Sequence, residues 1–157
     1  MFVKRSVLAL IAVAVSASAQ TSTTTHTQNF QFPPVGIAST ETIQINVVNH
    51  ATASSSGTAA SCAGTITFTN ASGAVIGTAT SFTVASGQVL SASLPFSKAG
   101  ASGARAEIVG SVQLTLSSST PCALANSLET FDTSSGVTHV FLGASSSDHG
   151  GGPFGHQ

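Results

Sequence analysis

The stretch CAGTITFT, residues 62–69, sets Cys62, Gly64, Ile66 and Phe68 on one side of an extended chain and Thr65, Thr67 and Thr69 on the other. Side chains of a strand alternate between two faces, so this spacing predicts a β-strand with one face in a core and one in water. Six more stretches read as strands: IQINVVN (43–49), AVIGTATSFTV (74–84), QVLSASLPF (88–96), RAEIVGSVQLTL (105–116), CALANSLETF (122–131) and VTHVFLG (137–143). IQINVVN directs Ile43, Ile45 and Val47 one way and Gln44 and Asn46 the other, and QVLSASLPF alternates Leu90, Ala92, Leu94 and Phe96 with polar residues. In the last stretch Val137, His139 and Phe141 compete with Thr138, Val140 and Leu142 for the inward face, since one slip of register exchanges them.

Turn residues separate these runs: NASG at 70–73, ASG at 85–87 and a loop from Asp132 to Gly136, whose aspartate is suited to bonding its own backbone. Asn70-Ala71-Ser72 is also formally a glycosylation acceptor, but a turn explains it without sugar. Pro95 marks the end of its strand or an edge position, and Gly110 is expected to bend or bulge its own. No stretch repeats with helical period. The content of Ser, Thr, Ala and Gly raises the question of disorder, but 41% hydrophobic residues on period-two spacing favour a packed domain. The expectation is an all-β, antiparallel sandwich of about seven strands.

The opening MFVKRSVLALIAVAVSASAQ carries Lys4 and Arg5, an apolar run from Val7 to Val15 and then Ala17-Ser18-Ala19, the pattern of a secretory signal cleaved before Gln20. The run is too short to span a bilayer. The chain therefore divides into a signal peptide (1–19), an extended N-terminal arm (20–35), the sandwich (36–143) and a Gly/Ser/His-rich tail (144–157). The expected location is secreted or periplasmic, without membrane insertion.

Loss of the signal leaves Lys98 and Arg105 against Glu41, Glu107, Glu129, Asp132 and Asp148, a formal charge of −3. Two basic residues cannot neutralise a phosphate backbone or form a polybasic membrane patch, which removes nucleic acid and anionic lipid surfaces from the expected partners. The surface polarity comes from hydroxyls and amides. Such a surface repels copies of itself weakly and tolerates self-association.

Two cysteines in an exported chain most economically form one disulfide, Cys62 to Cys122. Cys62 opens the second strand candidate and Cys122 the sixth. If every connection reverses direction, the two lie at the same end of the domain, within bonding range across two facing sheets. Seven strands with cysteines in the second and sixth, some sixty residues apart, resemble the immunoglobulin-like β-sandwich over Gly36 to Gly143. The chain has no tryptophan to pack on the bridge and no tyrosine corner, and so is more similar to the immunoglobulin-like modules of secreted bacterial proteins than to antibody domains. The resemblance implies a scaffold and assigns no activity.

Reactive constellations are missing. There is no G-x-S-x-G elbow, no paired carboxylate setting, and His26, His50, His139, His149 and His156 form neither H-x-H nor H-E-x-x-H. No enzyme activity, cofactor or metal is expected. Stacking on sugars normally uses tryptophan or tyrosine, so the nine phenylalanines are assigned to the core. The tail, with Asp148, His149 and His156, reads as a solvated end.

The functional expectation is a non-catalytic structural or interaction module of the cell exterior, meeting a protein or surface partner, which includes itself. The alternative is a subunit of an extracellular filament. The polar stretch from Gln20 to the Pro33-Pro34 stop is either disordered or a strand seeking a partner, and Phe30 and Phe32 lie on one side of it as candidates for strand addition to a neighbour. In size, export, hydroxyl content and single bridge the chain is similar to chaperone-assembled pilins.

Overall fold

The structure is a computed structural model and describes residues 24–52, 61–117 and 122–144. The expected signal peptide, residues 20–23 of the arm and the tail beyond Ala144, with Asp148, His149 and His156, lie outside the described residues.

Among the described residues there are nine strands: β1 (Thr25–Gln31), β2 (Val35–Ala38), β3 (Glu41–Asn49), β4 (Ser61–Asn70), β5 (Thr80–Ala85), β6 (Val89–Pro95), β7 (Arg105–Ser117), β8 (Leu124–Asp132) and β9 (Thr138–Ala144). The first sheet runs β1–β7–β4–β5, with β2 also on β7, and the second runs β6–β3–β8–β9. All pairings are antiparallel. The protein is an antiparallel β-sandwich, as the alternation predicts.

Two strands exceed the expected seven. β1 and β2 lie end to end along one edge of β7, Thr25–Gln31 opposite Ser117–Ser111 and Val35–Ala38 opposite Ile108–Arg105. Between them Phe32-Pro33-Pro34 interrupts the ladder, since proline has no N–H to donate. β1 is nearly all exposed apart from Phe30, as suits an edge strand, and its polar sequence hides it from a reading based on apolar alternation.

The core lies between the sheets. Ile37, Ile43, Ile45, Ile66, Ile108 and Leu128 are its largest fully buried side chains. Burying each such side chain contributes about 1.5–3 kcal/mol. Asn49 is buried with them and bridges the sheets, its Nδ2 donating to the Val84 carbonyl (3.0 Å) and its Oδ1 accepting from the Ala51 N–H (2.9 Å). The Cys62–Cys122 bridge is present, with Cα atoms 5.1 Å apart. It ties β4 in one sheet to the segment that enters β8 in the other.

At Gly110 the register of β7 with β4 runs on without a bulge. β7 runs unbroken through it, and a Cβ there would stand 2.7 Å from Ile45 Cδ1 and 2.9 Å from Leu128 Cδ1. A side chain at this position would have to push aside the tips of Ile45 and Leu128 on the facing sheet. The stretch 74–84 forms a strand only from Thr80. Before it Val75 makes a single bridge to Thr69, and Gly77 takes φ 69°, which breaks the extended run. Asn70 closes the preceding turn, its Oδ1 accepting from the Ser72 and Ala74 N–H groups.

In β9 the register places Val140 and Leu142 half-buried toward the core and leaves Phe141 outside, 66% exposed. β6 ends at Pro95 on the sheet edge, where the missing donor is tolerated.

Candidate functional site

Alternation along the second sheet builds its outer face. While Ile43, Ile45 and Val47 of β3 fill the core, Gln44, Asn46 and Val48 point away from it. The register sets Ser93 and Glu129 beside Gln44, Ser91 and Ser127 beside Asn46, and Val89 and Ala125 beside Val48. On β9, Phe141 stands opposite Glu129 and Gly143 opposite Ser127.

These polar side chains are bonded to one another across three strands. Gln44 Nε2 donates to Asn46 Oδ1 (2.8 Å) and to Glu129 Oε1 (3.1 Å), and Asn46 Nδ2 donates to the same carboxylate oxygen (3.0 Å). Ser91 Oγ donates to Asn46 Oδ1 (2.6 Å) and Ser93 Oγ to Gln44 Oε1 (2.8 Å). The amides are thereby fixed in orientation before any ligand arrives. Among the described residues no hydrogen bond reaches Glu129 Oε2.

Beside this ladder lies a trough of about 540 Å³, bounded by Val48, Val89, Ala125, Ser127, Phe141 and Gly143. Its depth comes from small residues. Gly143 has no side chain, and a Cβ built there would meet nothing within 4 Å. Phe141 and Val89, 66% and 63% exposed, are the large apolar groups of the face. Under the trough's floor, on the inward side of β8, the Asn126 amide is buried with neither polar atom bonded among the described residues. Such a group costs about 1–3 kcal/mol in desolvation.

The arm is placed against its own chain. Phe30 (9% exposed) and Phe32 (2%) enter the core, Phe30 lies opposite Val112, and the Phe32 N–H donates to the Gly110 carbonyl (2.9 Å). Gln113 Nε2 donates to Asn29 Oδ1 (3.1 Å) on the outer side. The expected strand therefore pairs with β7, and the two aromatics are its anchors.

The titratable groups serve turns and corners. Glu41 accepts the Ala38 N–H (2.6 Å) and bonds His139 Nδ1 through its other oxygen. The Ala38 bond first, and the His139 bond after it, lower the Glu41 carboxyl below its ordinary value. Asp132 Oδ1 accepts from the hydroxyls and N–H groups of Ser134 and Ser135, as expected of the residue that starts this loop. These bonds, the Ser134 hydroxyl foremost, hold Asp132 far below its ordinary value. Among the described residues no group of three His, Cys, Asp or Glu side chains converges as a metal site, and no helix is long and apolar enough to cross a membrane. His26 lies on β1, His50 just beyond β3, and His139 only at the Glu41 corner.

Both carboxyls are depressed in the folded state, so their stabilisation is present above the ordinary carboxylate range and drains away as pH falls through and below it. Thermal unfolding followed by circular dichroism between about pH 6 and 2 is expected to show a falling midpoint. Asp132→Asn, which removes one of the two linked protons, should make that fall shallower, whereas an identical slope in the variant would contradict the assignment.

The outer-face ladder is not legible from one strand. Gln44 and Asn46 alternate visibly with isoleucines, but only the register brings Ser91, Ser93 and Glu129 to them. No family model, no curated protein and no solved structure matches the chain.

Proposed function

We propose that the chain is an exported, non-catalytic module of the immunoglobulin-like sandwich kind that makes contacts at the cell exterior through the outer face of its second sheet. The carrying observation is that face: a ladder of bonded amides and hydroxyls beside an apolar-walled trough, with Phe141 and Val89 exposed. The core needs neither side chain there, and exposed apolar groups grouped beside ordered polar ones are typical of contact surfaces. The disulfide supports an oxidising compartment, and the signal-like first nineteen residues support export.

The test follows the full-length protein in the cells that produce it. The wild-type chain is expected to stay with the cell envelope or extracellular material, and Val89→Asp with Phe141→Asp to wash free while remaining folded. Equal release of both would overturn this reading, as would recovery of the chain from the cytoplasm with its first nineteen residues intact.

A second reading, the filament subunit, is favoured by one observation: β1 is an edge strand joined to the rest through Phe32-Pro33-Pro34 and, among the described residues, paired only with β7. The same strand supplied by a neighbour would make the same bonds in trans. Light scattering and negative-stain microscopy with and without residues 20–34 decide it. Polymers that vanish on deletion support the filament, and compact monomers in both samples end it.

A further inference from the structure

We infer that the outer face of the second sheet is a binding site for a neutral saccharide. This deepens the proposed contact function and rests on it. Three features of the face select the ligand class.

The first is juxtaposition. Phe141 stands directly across the β8–β9 pair from Glu129, where side chains on one face are about 5 Å apart at Cβ. An exposed aromatic ring beside a carboxylate with an unbonded oxygen offers two contacts that a sugar ring satisfies at once. Its axial C–H groups stack on the ring face, and an adjacent hydroxyl donates to Glu129 Oε2.

The second is prior ordering. Gln44, Asn46 and Glu129 are held by their mutual bonds and by Ser91 and Ser93, so little side-chain freedom is lost on binding. Asn46 and Ser127 carry that polar edge along the trough, which is open and accessible from solvent. Hydroxyl-rich ligands suit such an array of fixed amides and hydroxyls.

The third is what the face disfavours. A second copy packed on it about a two-fold axis passing close to Glu129 would bring two carboxylates into one dry interface, where like charges repel strongly. A purely apolar occupant would strip water from Glu129 and both amides without replacing their bonds. An anionic ligand meets the carboxylate without a basic residue among the side chains that form the ladder and trough. A neutral, polyhydroxylated ring avoids all three penalties.

The experiment uses the full-length disulfide-bonded protein, isotopically labelled, and neutral oligosaccharides of glucose, mannose, galactose, xylose and N-acetylglucosamine. Each is titrated to about 10 mM, enough to reveal millimolar binding. The expected result is saturable shifts of the Ser127, Glu129, Phe141 and Gly143 amides with at least one of them. Phe141→Ala should weaken that binding about tenfold, the loss of roughly one stacking contact. Gly143→Leu should abolish it by filling the trough, with the fold intact because the added Cβ meets open space.

Absence of shifts with every saccharide overturns the inference, as does binding that survives both substitutions. Concentration-dependent dimers that Phe141→Ala dissolves, without any saccharide response, assign the face to self-association instead. A chain that is retained on the envelope through this face yet ignores every saccharide refutes the ligand class and leaves the contact function standing.

Discussion

Reduction of the Cys62–Cys122 bridge, or replacement of both cysteines by alanine, is expected to lower the free energy of unfolding by about 4 kcal/mol. The closed loop spans a separation of 60 residues, and the unfolded chain regains the freedom that this closure denies it. The bridge also joins the sheets, because Cys62 lies in β4 and Cys122 just before β8. Against a total of about 5–15 kcal/mol for a domain, the loss is about a quarter of the stability or more. Urea unfolding followed by circular dichroism, with and without reductant, measures it. An unchanged midpoint would contradict the loop-closure argument, since the unfolded chain would then gain nothing when the bridge is opened.

Phe32→Ala is the second large effect, about 3–5 kcal/mol. Phe32 is 2% exposed and sits where the chain leaves β1, so its removal opens a cavity and releases the strand's anchor together. The loss should be uneven. Hydrogen exchange of the Thr25–Gln31 amides is expected to approach the unprotected rate while β3 and β8 keep their protection. Phe32→Leu, which refills most of the volume, should restore most of the stability. Uniform loss of protection across both sheets would instead make β1 inseparable from the global fold.

The alternation of Ile43, Ile45 and Val47, and of Ile66 and Phe68, made the sandwich readable, because burial on one face of a strand leaves a period-two trace. The disulfide is readable because two cysteines in one chain have a single intramolecular pairing open to them. β2 was not, since the four residues VGIA are too few to show a period. For β1 the sequence leaves disorder and a strand both open, because an edge strand anchored by two phenylalanines has no longer apolar stripe to decide between them. Gly110 by itself suggests a bend or bulge, whereas the structure sets the side-chain tips of Ile45 and Leu128 against it, a closeness that belongs to two sheets together. The candidate site was the least legible part. The sequence leaves the facing of Phe141 open against Leu142, and only the β8–β9 register turns it outward beside Glu129.

The pairing of β1 with β7 also sets a timetable. Synthesis proceeds from the N-terminus, so Thr25–Gln31 leaves the ribosome well before the partner residues Ser111–Ser117 exist. Throughout that interval Phe30 and Phe32 have no slot to fill, and strand contacts this distant in sequence are among the slowest to close. The folded chain pairs its arm with its own β7, whereas every growing chain displays one unpaired. How many nascent chains are crowded together at that moment, rather than the stability of the folded product, would then decide whether β1 finds its own β7 or another's.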